Sequence, residues 1–268
     1  MPTSVNSVLD VRSSLQQDRM LRAGYEDFRA MILNADGDGD GSAATTGPNL
    51  AITDKNVFEV EGVGTMDSAL LVINGGLLLT TNMTSDNVGI EIQAQSAAAT
   101  RGRGVFVVGT DEAYFSSTFT LADVSGTDFC FSGFRKVEAR QTSEGALTYA
   151  DYALLAPISG DIKIYTRLNA GTQAITDTTE DWTDGQSHKL TVIVAKNGKV
   201  YFEIDGHTPA AEPATRFQFD SGDSIAWMWR IQNATDVANG TLITELAWGA
   251  QGDSIAPRRP GHTSTSGV

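Results

Sequence analysis

Residues 188–206 constrain the fold more than any other stretch. Leu190, Val192 and Val194 alternate with Thr191, Ile193 and Ala195, and after Asn197-Gly198 the alternation resumes in Val200, Phe202 and Ile204. A period of two places one apolar face on each of two strands. Asn-Gly between such runs predicts a two-residue type I′ turn, since both central positions need positive φ. Asp205-Gly206 predicts the next turn. A lone two-stranded ribbon is marginal in water, so this hairpin must belong to a larger sheet whose apolar face is covered.

The same pattern continues on both sides. Short β-branched or aromatic runs at 58–60, 69–73, 89–93, 104–108, 114–121, 127–134, 161–168, 188–195, 199–205, 226–232 and 241–248 are separated by Gly, Asn and Asp. No helical segment of useful length interrupts them, which argues against βαβ units. Only 19% of the residues are charged, and there are 27 glycines. Polar surface must therefore come largely from Thr, Ser, Asn and Gln, as suits sheets joined by tight turns. The expected class is mainly β: an antiparallel β-sandwich over residues 51–249.

The segment 181–206 resembles the signature hairpin of concanavalin-A-like jelly rolls, the laminin-G, pentraxin and legume-lectin superfamily. The matching residues are Trp182, Gly185, His188, Asn197, Gly198 and Ile204 to Gly206, and the runs at 227–233 and 242–248 are similar to the last strands of such a domain. The resemblance covers roughly residues 100–249 and implies a jelly roll, but fold does not fix function. The run 74–82, Asn-Gly-Gly-Leu-Leu-Leu-Thr-Thr-Asn, resembles a pattern in structural proteins of tailed bacteriophages, where such a strand precedes a jelly roll.

Apolar residues in 4–33 recur at three- and four-residue steps, which predicts an N-terminal helical arm over 1–33. Its docking residues would be Leu15, Leu21, Tyr25, Phe28 and Ile32. Residues 34–50 turn abruptly to Asp, Gly, Ser and Thr and read as a linker. Within it, Asp36, Asp38 and Asp40 occupy positions 1, 3 and 5 of a calcium loop, with Gly41 at 6. Position 12, where a bidentate Glu belongs, is Gly47, and Pro48 follows. A solvated hinge therefore outweighs a calcium site, and no cofactor is expected unless these aspartates bind calcium. Residues 250–268 read as a polar tail.

Other chemistry is thinly represented. A net charge of -14 without a Lys/Arg cluster excludes a nucleic-acid footprint and works against anionic membranes. With no basic start and no apolar h-region, a secretory leader is not expected, and the longest apolar run, around 77–79, is too short to span a bilayer. The single Cys130 sits in an apolar run and reads as a small buried hydrophobe. Cys/His metal clusters and Gly-x-Ser-x-Gly are absent. Glu59, Glu61 and Glu91 stand isolated on strands, without the paired spacing of a retaining glucanase, so no enzyme is expected. Trp182, Trp227, Trp229, Trp248 and Tyr201 could offer a sugar platform, but Trp227 and Trp229 share one strand face, and core packing is the simpler reading.

The expected function is that of a phage virion structural protein, a capsid decoration or head-associated protein. It would oligomerise and dock on the major capsid protein through its arm. The alternative is a lectin-like module that binds glycan or a receptor.

Overall fold

The computed structural model describes residues 24–26, 31–34, 49–53, 57–63, 68–73, 76–81, 89–94, 104–125, 127–139, 141, 147–233 and 241–250, with side chains from residue 89 onward, Asp128 excepted. Seventeen strands are found among them. The first six are β1 (Gly24–Glu26), β2 (Met31–Asn34), β3 (Asn49–Thr53), β4 (Val57–Val63), β5 (Ser68–Ile73) and β6 (Gly76–Thr81). The next six are β7 (Gly89–Ala94), β8 (Val105–Val107), β9 (Ala113–Thr120), β10 (Thr127–Lys136), β11 (Tyr152–Ile158) and β12 (Asp161–Arg167). The last five are β13 (Ala174–Asp181), β14 (Ser187–Val194), β15 (Val200–Ile204), β16 (Ser224–Asn233) and β17 (Leu242–Ala250).

They form two antiparallel sheets. The smaller runs β15-β14-β9-β17-β6-β5, with β1 also on β17; the larger runs β13-β12-β11-β10-β16-β7-β4-β3-β2, with β8 also on β16. The sheets pack face to face, as the alternation requires. Leu190, Val192 and Val194 of β14, with Val200, Phe202 and Ile204 of β15, meet Cys130 and Phe134 of β10 and Trp227, Trp229 and Ile231 of β16 in one core. Aromatic rings bridge the layers. Phe115 stacks on Trp227 at 4.9 Å, Trp227 lies 4.7 Å from Trp248, and Phe119 lies 4.8 Å from Trp182 and 5.5 Å from Trp229. Burying each such side chain contributes about 1.5–3 kcal/mol. The core also holds a polar contact: Ser117 and Ser132, on opposite sheets, are hydrogen-bonded at 2.7 Å.

All four tryptophans are core residues, as the shared strand face suggested, and Cys130 is buried. The Asn197-Gly198 turn differs from expectation. Gly198 N–H donates to Ala195 O at 2.8 Å, and Ala195 pairs with Lys199. Only Gly198 has positive φ, at 84°. This is a three-residue loop with a glycine bulge rather than a type I′ turn. The doubly positive pair falls one turn later, at Asp205 (φ 52°) and Gly206 (φ 80°), closed by His207 N–H on Ile204 O.

The expected N-terminal helix is corrected where the arm is described. Gly24–Glu26 and Met31–Asn34 are strands: Tyr25 pairs with Ala247 in the smaller sheet, and Ile32 pairs with Ile52 in the larger. A short apolar run such as Met31-Ile-Leu satisfies either periodicity, and pairing with existing strands decides the outcome. Leu15, Leu21 and Phe28 lie outside the described residues. Asn34 and Leu50, the ends of the expected linker, are register partners across β2 and β3. Among the described residues no helix is long and apolar enough to cross a membrane.

Candidate functional site

The outer face of the larger sheet carries ionisable residues at its centre. Strand register places Glu91 and Gln93 of β7 beside Arg230 and Met228 of β16, and β16 beside Phe131 and Gly133 of β10. On the other side of β7, Glu61 stands opposite Glu91, and Glu59 opposite Gln93. Glu61 and Glu91, 30 residues apart in the chain, are thus register partners across β4 and β7.

Glu91, Arg135 and Arg230 are fully buried. Arg230 Nη1 donates to Glu91 Oε2 at 3.2 Å, Arg135 Nε lies 3.7 Å from Glu91 Oε1, and Arg135 Nη2 donates to Gln93 Oε1. Gln141 and Tyr149, from the connection between β10 and β11, reach these residues, and Arg230 Nη1 also donates to Gln141 O at 3.4 Å. The Tyr149 hydroxyl lies 3.0 and 3.1 Å from the two Glu91 oxygens and accepts Gln141 N–H at 3.1 Å. Its ring lies under the Arg135 guanidinium at 4.3 Å. Burial, with the Glu91 charge second, pushes the Tyr149 phenol well above its ordinary value. Removing two guanidinia and a carboxylate from water is costly unless each finds partners; here both arginines pair with Glu91, although Arg135 Nε, 3.7 Å from Glu91 Oε1, makes no hydrogen bond. The cluster is a closed lock that fastens Gln141 and Tyr149 to the sheet. It lacks the open carboxylate pair that glycoside hydrolysis needs.

An accessible site lies at the other sheet. After the Asp205-Gly206 turn the chain runs along the free edge of β15. Val200 N–H donates to Phe217 O at 3.0 Å, and Ala211 N–H reaches Thr178 O of β13 at 3.3 Å. This excursion covers an edge strand that would otherwise offer unpaired backbone groups. Between it and the sheet is a cavity of about 230 Å³ lined by Ile193, Tyr201, Glu203, Thr208, Glu212 and Arg216. Tyr201 and Glu203 alternate outward on β15, opposite the core residues Val200, Phe202 and Ile204. The Arg216 guanidinium lies 4.1 Å over the Tyr201 ring, and Arg216 Nη2 donates to Glu212 Oε2 at 2.9 Å. Two carboxylates, a guanidinium, a hydroxyl and a phenol thus converge on a space with an apolar floor.

Of the residues singled out in the sequence, Tyr201 lines this cavity. Tyr25 and Ile32 are strand residues in different sheets. Asp36, Asp38 and Asp40 lie outside the described residues. Among the described residues no group of three or more His, Cys, Asp or Glu side chains is placed to hold a metal. Glu212 and Arg216 had no periodic signal in the sequence, because they sit in an excursion without regular structure. Glu203 was legible as an outward position of the hairpin.

No protein family matches the sequence, and no curated protein matches it. Similarity appears at the level of structure. The protein of unknown function SO2946 from Shewanella oneidensis MR-1 superposes with a TM-score of 0.52 at 12% identity, over 93% of this chain and 96% of that one. The potassium-bound Emp46p carbohydrate recognition domain gives 0.47 at 8% identity, over 69% and 87%. The botulinum neurotoxin serotype D/C VPI 5993 binding domain gives 0.46 at 9% identity, over 87% and 51%. The chain shares its two-sheet sandwich fold with SO2946.

Proposed function

We propose that the chain is a lectin-like carbohydrate-binding module and that the cavity beside β15 is its sugar subsite. The observation that carries this reading is the convergence of Tyr201, Glu203, Thr208, Glu212 and Arg216 on one small space. Carboxylates and a guanidinium in fixed positions accept from and donate to adjacent hydroxyls, and an aromatic ring packs the apolar face of a sugar. The volume is below the roughly 300–1,000 Å³ of drug-sized sites, which suits one ring or a chain end. Arg216 is exposed, so its guanidinium can swing from the Tyr201 ring to a ligand hydroxyl.

A glycan array followed by calorimetry on the best ligand tests the reading. Tyr201→Ala and Glu212→Ala should each weaken binding at least about tenfold while the sandwich stays folded. Absence of any glycan ligand, or binding untouched by both substitutions, would sink it. Loss of binding in a chelator would support calcium at Asp36, Asp38 and Asp40.

A second reading, a virion structural protein that oligomerises and docks on the major capsid protein, is supported by the run 74–82 and by the apolar residues of the N-terminal segment. The sandwich serves either role.

A further inference from the structure

The cavity beside β15 already holds a cation, the side chain of Arg216. Tyr201 packs against Tyr114, Ile193 and Ala247 of the smaller sheet, and the Arg216 guanidinium covers its ring at 4.1 Å. Arg216 Nη2 donates to Glu212 Oε2 at 2.9 Å, and the two side chains are 36% and 23% exposed. Glu203 stands two residues from Tyr201 on β15, so its carboxylate shares that face, and it is 7% exposed. Two carboxylates against one guanidinium leave the lining one charge negative.

The arrangement favours a cationic ligand. A sugar ring that stacks on Tyr201 must first displace Arg216, because the guanidinium covers the aromatic ring. Displacement costs little, since an ion pair between part-exposed side chains is weak. Yet it takes from Glu212 the cation it holds, and it leaves two carboxylates facing the ligand. A neutral sugar answers them with hydroxyl donors alone. A sugar with a protonated amine restores both lost contacts: a cation over the tyrosine ring, and a charge-assisted hydrogen bond to the carboxylate. A sugar acid would instead bring its own carboxylate up to Glu203 and Glu212, and such like-charge contacts are costly. The net charge of -14 acts in the same direction as a ligand approaches.

We propose that this cavity selects sugars bearing a free amine, and that the ligand ammonium takes the place Arg216 holds between Tyr201 and Glu212. The inference rests on the sugar-binding reading of the cavity and adds the class of ligand. A space of about 230 Å³ suits one such ring at a chain end.

The test is an array of gluco, galacto and manno oligosaccharides in matched amine, N-acetyl, hydroxyl and uronic acid forms. It is probed with the full chain at about pH 6, where the sugar amine is protonated, and calorimetry follows on the tightest matched set. The amine form should bind at least about tenfold tighter than its matched partners. Glu212→Gln should cut that preference below about threefold, and Arg216→Met, which removes the competing cation, should raise it. Both side chains are part-exposed, so the fold survives either change. A neutral, N-acetylated or acidic form that binds as tightly as the amine would overturn the inference and leave sugar binding standing. So would a preference that neither substitution moves. An oligolysine that binds as tightly as the amino sugar would reduce the site to charge alone and overturn the assignment to sugars. Binding to no member of the array would overturn both readings together.

Discussion

His188 Nδ1 lies 2.7 Å from Asp205 Oδ2, and the other oxygen of the same carboxylate accepts the Lys189 N–H at 2.8 Å. One side chain thus ties the entry of β14 to the turn that leaves β15. Asp205 does this from a left-handed backbone position, φ 52°, which Asp and Asn tolerate better than other non-glycine residues. Asp205→Asn should keep the conformation and one acceptor and change stability by less than about 0.5 kcal/mol. Asp205→Ala should lose both contacts and strain the turn, at a cost of about 1–2 kcal/mol. Urea midpoints of the two variants check this; equal midpoints would show that the carboxylate ties nothing.

The Glu91 lock makes a larger demand. Glu91→Ala leaves Arg230 and Arg135 buried without their carboxylate, which costs about 3–5 kcal/mol. Tyr149→Phe removes only the hydroxyl that Glu91 and Gln141 share, at about 1–3 kcal/mol. If Gln141 and Tyr149 are fastened by this cluster, Tyr149→Phe should also speed proteolysis between β10 and β11. Denaturant unfolding of both variants, with a protease time course on the second, decides the point. A Glu91→Ala chain as stable as the parent would refute the lock.

The hairpin at 188–205 and most core strands were legible because a half-buried strand writes its face into every second residue. β11 was not, because six of its seven residues are buried and no polar alternation remains. β13 was not, for the opposite reason: at the edge of the larger sheet it exposes most of its residues, with a bulge near Thr178 and φ 65° at Thr179. The N-terminal strands were hidden by runs too short to distinguish a period of two from one of 3.6. Of the candidate cavity, Tyr201 and Glu203 could be placed from the alternation. Glu212 and Arg216 could not, since backbone hydrogen bonds to β15 and β13, and no local pattern, bring them there.

Gly198 shows why turn type resists sequence reading. A Cβ there would stand 2.3 Å from Phe219 O, and φ is 84°. Gly198→Ala should therefore cost about 1–3 kcal/mol. A type I′ turn would also need Asn197 in the left-handed region, but Asn197 is not there and mainly offers its Oδ1 to Lys199 N–H at 3.2 Å. Asn197→Ala should cost less than about 1 kcal/mol. Thermal unfolding of the pair tests the bulge: comparable losses at both positions would restore the type I′ turn.

Alkaline pH should destabilise the fold. Burial raises the phenols of Tyr114, Tyr149, Tyr152 and Tyr165, with Tyr152 pushed up to about 12, and lifts the Cys130 thiol well above 9.0. A group with a raised folded-state pKa keeps its proton after the unfolded chain has released its own, so rising pH favours unfolding. Lys136 acts in the same direction. Its hydrogen bond to Asp223, at 2.7 Å, raises its pKa above 10.5, so the pair's contribution is complete below that pH and is lost as pH rises through the folded value. The urea midpoint should hold to about pH 9 and fall progressively towards pH 12, each buried phenol contributing up to about 1.4 kcal/mol per pH unit between its unfolded and folded values. Tyr152→Phe should lower the midpoint at neutral pH, because the hydrogen bond to Gln173 at 2.8 Å is lost, and make the fall above pH 10 shallower. A midpoint constant up to pH 11, or a Tyr152→Phe curve parallel to the parent throughout, would contradict the burial of these phenols as ionisable groups.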